Sequence, residues 1–378
     1  MYVHVPFCAK KCYYCDFNSY TLDRAAVVRY LDALAREAAL YSARWSGAAR
    51  PFDTLFIGGG TPTCLAAKEL RRLIQIVRDH FELRADAEIT CEANPGSSNV
   101  EKYAALREAG VNRLSIGFQS LDDALLARLG RTHTAQEAVA SFHAARAAGF
   151  DNVNIDLMFA LPGQDRAAWR RTLEETLALE PEHLSCYSLI VEEGTPFGDA
   201  YARGRLTLPG EDEELAMFEE AIARAQEAGY EHYEISNFAR PGYASRHNTL
   251  YWRVEPYLGL GPGAHGFVEG VRYSNVKLPG EYARRLEAGE SPVAWSAPVS
   301  PDEAMDDVMI FGLRMLAGVE RERFRRRFGV DVAQVYPEEL ARLEAAGLIE
   351  VTEERVRLTR RGLPLGNQVF AAFLRTAG

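Results

Sequence analysis

Three cysteines lie within eight residues near the amino end, in the pattern Cys8-x-x-x-Cys12-x-x-Cys15. A loop of this length lets three thiolates each bind one corner of a cubane iron–sulfur cluster, so that the fourth iron has no protein ligand. Lys10 and Lys11 lie between the cysteines, and their charges would help to stabilise thiolates. The spacing therefore predicts a redox cluster with one open iron, which the amino and carboxylate groups of a small molecule could chelate.

Zinc is the main alternative to a cluster. Structural zinc sites use four Cys or His ligands, and His4 is the one nearby candidate for a fourth ligand. The remaining cysteines, Cys64, Cys91 and Cys186, stand among apolar neighbours, so we expect them to be buried as small hydrophobic residues. In a reducing compartment, a tight cysteine cluster indicates a metal site rather than disulfides.

Polar and glycine residues recur where predicted strands end. Three glycines and Thr61 follow a predicted strand at 54–57, and Glu92, Gln119 and Asp156 stand at or just after three further strands. Ligands bind at this edge of parallel sheets. Glycines let a ligand approach the backbone closely, although this loop matches neither a phosphate-binding nor a dinucleotide-binding motif.

Short β-rich runs alternate with amphipathic helices over the first half of the chain. The predicted strands are 2–5, 54–57, 88–92, 113–117, 152–156 and 183–187, and the predicted helices are 23–42, 68–80, 100–109, 135–148 and 167–179. Such a series predicts a parallel sheet with right-handed crossovers. Six strands are fewer than a closed barrel needs, so we expect an α/β fold built on an open, partial (β/α)6 barrel of the TIM type.

The pattern changes in the second half. A helix at 211–228 and a strand at 231–235 precede an irregular stretch at 236–270, and helices at 302–316, 321–328 and 337–346 are followed by strands at 348–352 and 355–358. The last group has a winged-helix layout, which we expect to be a structural cap. The predicted domains are the partial barrel at 1–200, an accessory α+β region at 201–300 and the winged-helix-like domain at 301–378.

Composition excludes several classes of function. The chain has 378 residues, of which 47% are hydrophobic, and a net charge of −10, which argues against a nucleic-acid partner. No apolar run reaches the roughly 18–20 residues of a transmembrane segment. The amino end lacks the layout of a signal peptide. We therefore expect a cytoplasmic protein.

The cysteine spacing matches the signature of the radical S-adenosylmethionine (SAM) superfamily, and six further motifs resemble the oxygen-independent coproporphyrinogen III oxidase family. They are YVHVPFC at 2–8, GGGTPT at 58–63, EANP at 92–95, SIGFQS at 115–120, RTH at 131–133 and NIDLM at 154–158. The resemblance implies a 4Fe–4S cluster on the three cysteines and SAM on its open iron, reduced by a low-potential electron donor. The residues implied to contact SAM are Tyr2, Tyr14, Gly59, Gly60, Thr61, Glu92, Gln119, Arg131, Asp156 and Ile190.

Two departures separate this chain from the oxidases. The oxidases carry a further cysteine two positions after the third cysteine, where this chain has Phe17. The oxidases also carry an extension before the first strand, whereas this sequence begins at Met1. The chain is more similar to the HemW-type haem chaperones, which carry the motif HNxxYW, found here at 247–252. That resemblance implies haem binding, with His247 as the candidate ligand and His265 as a weaker one.

The resemblance implies a haem chaperone that passes haem to haem-dependent respiratory proteins, with the membrane surface as one place of transfer. It also implies that the chain resembles coproporphyrinogen III dehydrogenase but lacks that activity. The alternatives are an oxygen-independent coproporphyrinogen III oxidase, which decarboxylates propionates to give protoporphyrinogen IX, and a radical enzyme with another substrate. A zinc-stabilised barrel without redox chemistry is a further alternative.

Overall fold

The computed structural model describes residues 1–44 and 51–375. The strands are β1 Tyr2–Val5, β2 Phe7–Cys8, β3 Tyr20–Thr21, β4 Phe52–Gly59, β5 Leu83–Ala93, β6 Arg113–Gln119, β7 Val153–Phe159, β8 His183–Ser188, β9 Glu231–Glu234, β10 Asn237–Ala239, β11 Gly259–Leu260, β12 His265–Val268, β13 Val271–Asn275, β14 Val293–Pro298, β15 Val319–Glu320, β16 Ile349–Val351 and β17 Arg355–Leu358. The helices are α1 Arg24–Arg44, α2 Ala67–His80, α3 Val100–Glu108, α4 Asp123–Leu129, α5 Ala135–Ala147, α6 Arg166–Leu177, α7 Pro196–Ala202, α8 Glu211–Glu227, α9 Arg246–Trp252, α10 Pro279–Glu287, α11 Pro301–Gly312, α12 Arg321–Phe328, α13 Val332–Val335, α14 Pro337–Ala345 and α15 Gly366–Ala371.

A nine-stranded sheet organises the first part of the chain, in the order β11-β1-β4-β5-β6-β7-β8-β10-β9. The six predicted strands, β1 and β4 to β8, are parallel neighbours in chain order. Helices cover the outside of this sheet, which explains why the strands are rich in buried apolar residues. Among the described residues, no strand pairing joins β11 to β9, so the barrel is open and the predicted partial barrel is confirmed.

Strand β10 and the edge strand β11 were not predicted, because they lie in the stretch 236–270 that looked irregular, whereas the other edge strand, β9, matches the strand predicted at 231–235. That stretch contains β10, which pairs antiparallel with β8, as well as α9 and β11, which pairs parallel with β1. Elements of two to seven residues are too short to show hydrophobic periodicity. The expectation of an irregular stretch was therefore wrong.

Helix α4 was also missed, and it positions a residue of the site. Asp122 caps its amino end by accepting hydrogen bonds from two backbone amides, and Gly130 ends it in a left-handed conformation with φ of 77°. The next residue, Arg131, donates its backbone N–H to Leu126 at 3.0 Å. The short helix thus fixes the backbone that directs the Arg131 side chain.

The carboxyl-terminal part has its own hydrophobic core. That core contains Met309, Phe324, Tyr336 and Phe373, whereas the larger core runs without interruption from Met1 to Leu286. The small sheet β15-β17-β16 lies with α11, α12 and α14, as a winged-helix layout requires. The predicted helix at 302–316 ends at Gly312, because the chain turns there toward β15. The three-domain division stays a prediction.

Candidate functional site

A pocket of about 380 Å³ lies at the carboxyl edge of the parallel strands. Of the residues singled out from the sequence, those that line it are Cys8, Cys12, Tyr14, Cys15, Gly59, Gly60, Thr61, Glu92, Gln119, Arg131, Asp156 and Ile190. They come from β2, β4, β5, β6 and β7 themselves and from the segments that follow the strands, as expected for a ligand site at this edge. A volume of this size lies within the range of pockets that bind small organic ligands.

The cysteine loop is fixed at its base by pairing between β2 and β3. The Sγ atom of Cys8 lies 3.5 Å from Oγ1 of Thr61, and Nη1 of Arg131 donates to Sγ of Cys12 at 3.6 Å. Cys15 donates its backbone N–H to the carbonyl of Cys12 at 3.3 Å, which closes a turn. All three thiols are free and partly exposed toward the same pocket, so the donor set suits an iron–sulfur cluster.

A single zinc ion does not fit. Within residues 1–44 and 51–375, no three Cys, His, Asp or Glu side chains converge on one metal position. The ring nitrogens of His4 are both used, since Nδ1 shares a hydrogen bond with the Tyr2 hydroxyl at 2.9 Å and Nε2 with the Asn18 carbonyl at 2.7 Å. Cysteines on separate irons of a cluster lie farther apart than cysteines on one ion, which agrees with this arrangement.

The other three cysteines are buried, as predicted. Cys64 donates to the Phe7 carbonyl at 3.4 Å, and burial raises the pKa of its thiol to about 12. Cys91 and Cys186 are at most 3% exposed, and burial raises the pKa of each thiol as well. These thiols therefore have neither the exposure nor the ionisation that a metal ligand requires.

The glycine loop must consist of glycines. Gly59 has φ of +108°, and a Cβ atom there would lie 2.4 Å from the His4 ring. A Cβ atom on Gly60 would lie 2.5 Å from the Phe7 carbonyl oxygen, and one on Gly58 would lie 2.7 Å from a Glu92 carboxylate oxygen. Side chains would push this loop away from the cysteine loop, so glycine keeps the two loops in contact.

Two partly buried carboxyl groups line the pocket. Glu92 accepts a hydrogen bond from the Gly59 amide at 3.0 Å, and burial raises its pKa to about 8, with a further rise from the charge of Asp156. Asp156 accepts from Ser115 at 3.1 Å and Asn154 at 2.7 Å, and burial raises its pKa as well. Acceptors of this kind fit hydroxyl groups or an ammonium group of a ligand.

Arg131 holds the opposite side of the pocket together. It donates from Nη2 to Asn94 Oδ1 at 2.7 Å and to the Gly117 carbonyl at 2.6 Å, and Asn94 donates to Thr61 Oγ1 at 3.0 Å. Its Nε atom is buried and has no hydrogen-bond partner among the described residues. A ligand carboxylate would supply that partner.

Sequence analysis missed Asn94 and identified Gln119. Asn94 was not singled out, although it follows a strand end within the EANP motif that carried the resemblance. Gln119 has φ of 66°, a left-handed conformation that is uncommon for residues other than glycine and that concentrates at functional sites. A strained backbone cannot be recognised from the sequence.

Tyr2 and His247 lie outside the pocket lining, in contrast to the other predicted contacts. The Tyr2 ring stacks on Phe56 at 6.2 Å, and Phe56 stacks on His247 at 5.1 Å. Strand β1 directs the Tyr2 side chain toward these rings and toward His4, instead of toward the cysteine loop. Tyr2 thus lies outside the lining of the pocket, and its contact with SAM stays a prediction.

Both ring nitrogens of His247 are hydrogen-bonded within the protein, and its role as a haem ligand stays a prediction. His247 is 1% exposed, its Nδ1 is hydrogen-bonded to Thr54 Oγ1 at 2.7 Å, and its Nε2 to the Tyr251 hydroxyl at 2.8 Å. Its backbone N–H donates to Glu88 at 3.0 Å. The weaker candidate, His265, is exposed at the start of β12 and does not line the pocket. Neither imidazole faces the cysteine loop.

Exposed apolar side chains surround the pocket mouth. Phe17, at the position where the oxidases carry a further cysteine, is 61% exposed, and Ile190 on the opposite side is 68% exposed. Lys11 donates to the Phe17 carbonyl at 3.1 Å, and its charge favours the Cys15 thiolate, whose pKa burial raises to about 11. The rim of the pocket therefore carries apolar side chains and the positive charge of Lys11, and Phe17 supplies a phenyl ring where the oxidases have a thiol.

Two family models match the chain. The radical SAM superfamily model matches residues 2–176, and the model of the HemN C-terminal domain matches residues 299–365. Among solved structures, the chain is similar to the coproporphyrinogen III oxidase HemN from Escherichia coli, a radical SAM enzyme. The TM-score is 0.85 and the identity 26%, over 98% of this chain and 89% of the other.

Curated relatives extend over the whole chain. The haem chaperone HemW of Bacillus subtilis is 40% identical over 99% of this chain and 98% of its own length. HemW of Mycobacterium tuberculosis strain H37Rv is 38% identical over 99% of this chain and 94% of its own length. A mitochondrial radical SAM domain-containing protein 1 from Bos taurus is 35% identical over 99% of this chain and 87% of its own length.

Proposed function

This chain belongs to the HemW family of the radical SAM superfamily, and on that premise we propose that it is a haem chaperone. It binds haem, a 4Fe–4S cluster and SAM, and it delivers haem to haem-dependent proteins. The observation that carries this proposal is 40% identity to a haem chaperone along the full length of both chains. The intact pocket supports it, because the three cysteines and nine of the ten predicted SAM contacts line one cavity.

The residues of the pocket have distinct tasks in this proposal. Cys8, Cys12 and Cys15 would hold the cluster, which together with SAM supplies one-electron cleavage of a carbon–sulfur bond. Arg131 would bind the methionine carboxylate through its unpartnered Nε atom. Glu92, whose pKa burial raises to about 8, would accept a hydrogen bond from the methionine amino group.

The second candidate is an oxygen-independent coproporphyrinogen III oxidase, and the similarity to HemN over nearly the whole chain favours it. Phe17 argues against it, since the exposed phenyl ring adds no thiol to the pocket mouth. We therefore propose that the chain resembles this enzyme in fold and cofactors but does not decarboxylate coproporphyrinogen.

The rest of the transfer reaction is also proposed. A low-potential donor would reduce the cluster, and haem-dependent respiratory proteins would accept haem, with transfer at a membrane surface. No helix among the described residues has the length and apolarity to span a bilayer. All six cysteines are free, which supports a reducing cytoplasmic location.

Anaerobic reconstitution followed by haem titration tests the proposal. The reconstituted protein is expected to bind haem stoichiometrically and to form no protoporphyrinogen from coproporphyrinogen III with SAM and a strong reductant. A Cys12→Ala variant separates the two functions, because it should lose the cluster and keep haem binding. Absence of haem binding would refute the chaperone, and product formation would establish the oxidase.

A further inference from the structure

Polar side chains fill the interior of the barrel below the cysteine pocket. Asp156 on β7 and Tyr187 on β8 line the pocket, and side chains two positions apart on a strand share a face of the sheet. Asn154 and His183, which are paired in the sheet, therefore lie on the same face but further from the pocket mouth. Asn154 is 1% exposed and His183 is completely buried, so both depend on hydrogen bonds within the protein.

A series of hydrogen bonds connects these side chains to the start of α9. The backbone N–H of Ser245, the residue that caps α9, donates to the Tyr233 hydroxyl oxygen at 3.2 Å. The Tyr233 hydroxyl lies 2.8 Å from His183 Nε2, and His183 Nδ1 lies 2.6 Å from Asn154 Oδ1. Asn154 Nδ2 donates to Asp156 Oδ1 at 2.7 Å. These five residues form the Asp156 network, which runs from the motif helix to the pocket.

The direction of these hydrogen bonds is fixed at the Ser245 end. A backbone N–H can only donate, so the Tyr233 oxygen accepts there, and the hydroxyl hydrogen goes to His183 Nε2, the one acceptor that residues 1–44 and 51–375 offer it. His183 is a neutral imidazole, because burial lowers its pKa well below the usual value and the charge of Arg113 lowers it further. With Nε2 as an acceptor, its single N–H is at Nδ1 and donates to Asn154 Oδ1.

The orientation of the Asn154 amide determines which atoms meet the Asp156 carboxylate. Ser185 also donates to Asn154 Oδ1, at 3.1 Å, so the amide nitrogen is directed toward Asp156. That nitrogen gives one hydrogen to Asp156 and the other to Ser115 Oγ at 2.7 Å, and Ser115 donates to Asp156 Oδ2 at 3.1 Å. Donors aimed at both carboxylate oxygens favour the charged form and oppose burial, which raises the pKa of Asp156.

We propose that His183 and Tyr233 are positioning residues, which act through Asn154 to hold Asp156 as a charged acceptor for the ribose hydroxyls of SAM. The inference rests on the proposed function and gives a task to side chains that do not line the pocket. If the Asn154 amide turned over, it would present its oxygen to the carboxylate and favour the protonated form, which accepts hydrogen bonds less strongly. His183 prevents that turn, because only the amide oxygen can accept from Nδ1–H. Tyr233 keeps the hydrogen on Nδ1.

Equilibrium dialysis of SAM against anaerobically reconstituted protein tests the positioning role. His183→Leu removes the donor to Asn154, so SAM should bind about tenfold more weakly. His183→Asn places an amide nitrogen near the position of Nδ1 and should bind SAM within about twofold of the wild type. Tyr233→Phe removes only the hydroxyl and should weaken binding about threefold. His232→Leu is the matched control, since that buried imidazole bonds to the Ile235 carbonyl at 3.1 Å, outside the Asp156 network.

The pH dependence of SAM binding separates positioning from a general loss of stability. The charged and titratable groups that face Asp156 are Glu92 on β5, Arg113 on β6, and Cys186 and Tyr187 on β8. Burial raises the pKa of the Cys186 thiol and the Tyr187 hydroxyl, so both stay neutral between about pH 6 and 8, and the titration of Glu92 is common to all variants. In the leucine variant the pKa of Asp156 should rise, so its loss of SAM affinity should be larger at about pH 6 than at about pH 8.

The outcomes separate this inference from the proposed function. If the wild type binds no SAM, the SAM assignment of the proposed function fails, and the inference fails with it. If the wild type binds SAM and both His183→Leu and Tyr233→Phe bind it equally tightly, the proposed function stands and the positioning role is refuted. Equal weakening by His232→Leu, no recovery in His183→Asn, or a loss of the same size at every pH would also refute it. If melting temperature or iron content shows that the leucine variant is not intact, Tyr233→Phe decides by the same criteria.

Discussion

Replacing Arg131 by glutamine tests the assignment of the SAM carboxylate most sharply. The guanidinium contacts Cys12 Sγ at 3.6 Å, Asn94 Oδ1 at 2.7 Å and the Gly117 carbonyl at 2.6 Å, and its Nε atom has no partner within residues 1–44 and 51–375. Glutamine is shorter and uncharged, so it cannot maintain these contacts and also meet a carboxylate.

The expected magnitude follows from the single bond to the cofactor. A hydrogen bond between charged groups contributes roughly 1.5–3 kcal/mol, so the variant should bind SAM about 10- to 150-fold more weakly. Loss of the contact with Asn94 adds to this effect, because Asn94 positions Thr61 at 3.0 Å. Arg131→Lys keeps the charge but lacks the planar fork, and it should bind SAM with intermediate affinity.

Equilibrium dialysis of SAM against anaerobically reconstituted protein provides the measurement. Arg128→Gln is the control, because that residue lies three positions earlier, donates to the Pro162 carbonyl at 2.8 Å and does not line the cysteine pocket. A SAM affinity of Arg131→Gln within about twofold of the wild type, with full iron content, would refute the assignment.

Three further perturbations follow from the geometry. Gly59→Ala would place a residue with a Cβ atom at φ of +108°, with that atom 2.4 Å from the His4 ring. The free energy of unfolding, measured by denaturant titration, should therefore fall by roughly 2–5 kcal/mol. An unchanged midpoint would contradict the loop geometry. The folded-state pKa of Glu92, about 8, is above its unfolded value of 4.5, so the folded protein binds the extra proton. The free energy of unfolding of the cofactor-free protein should therefore fall as pH rises from about 5 to 8, and Glu92→Gln should flatten that slope. His247→Ala should lower the free energy of unfolding by about 2–4 kcal/mol because it removes two buried hydrogen bonds, whereas replacing the exposed His265 by alanine should leave the free energy of unfolding unchanged.

The central sheet was predictable because each strand is a short apolar run that ends at glycine or polar residues. That rule identified β1 and β4 to β8, and it placed Glu92, Gln119 and Asp156 at one edge before any contact was known. The cysteine spacing is equally local. The location of a residue at a strand end or within one short loop can be predicted directly from the sequence, because it depends on residues that are close in the chain.

Other features depend on contacts between distant segments. The His247 imidazole is hydrogen-bonded to Thr54, which lies 193 residues earlier in the chain, and no local pattern predicts that contact. Tyr2 belongs to a motif that lies beside the site, but the alternation of side chains along β1 directs it beneath the pocket.

The central claim is that Cys8, Cys12 and Cys15 hold a cluster whose open iron binds SAM. Electron paramagnetic resonance of the reduced, anaerobically reconstituted protein measures this directly, with and without SAM. The account predicts about four irons and four sulfides per chain, a cluster signal that changes when SAM is added, and no signal from a variant with all three cysteines changed to serine. A signal that SAM does not alter, or one that persists in the serine variant, would contradict it.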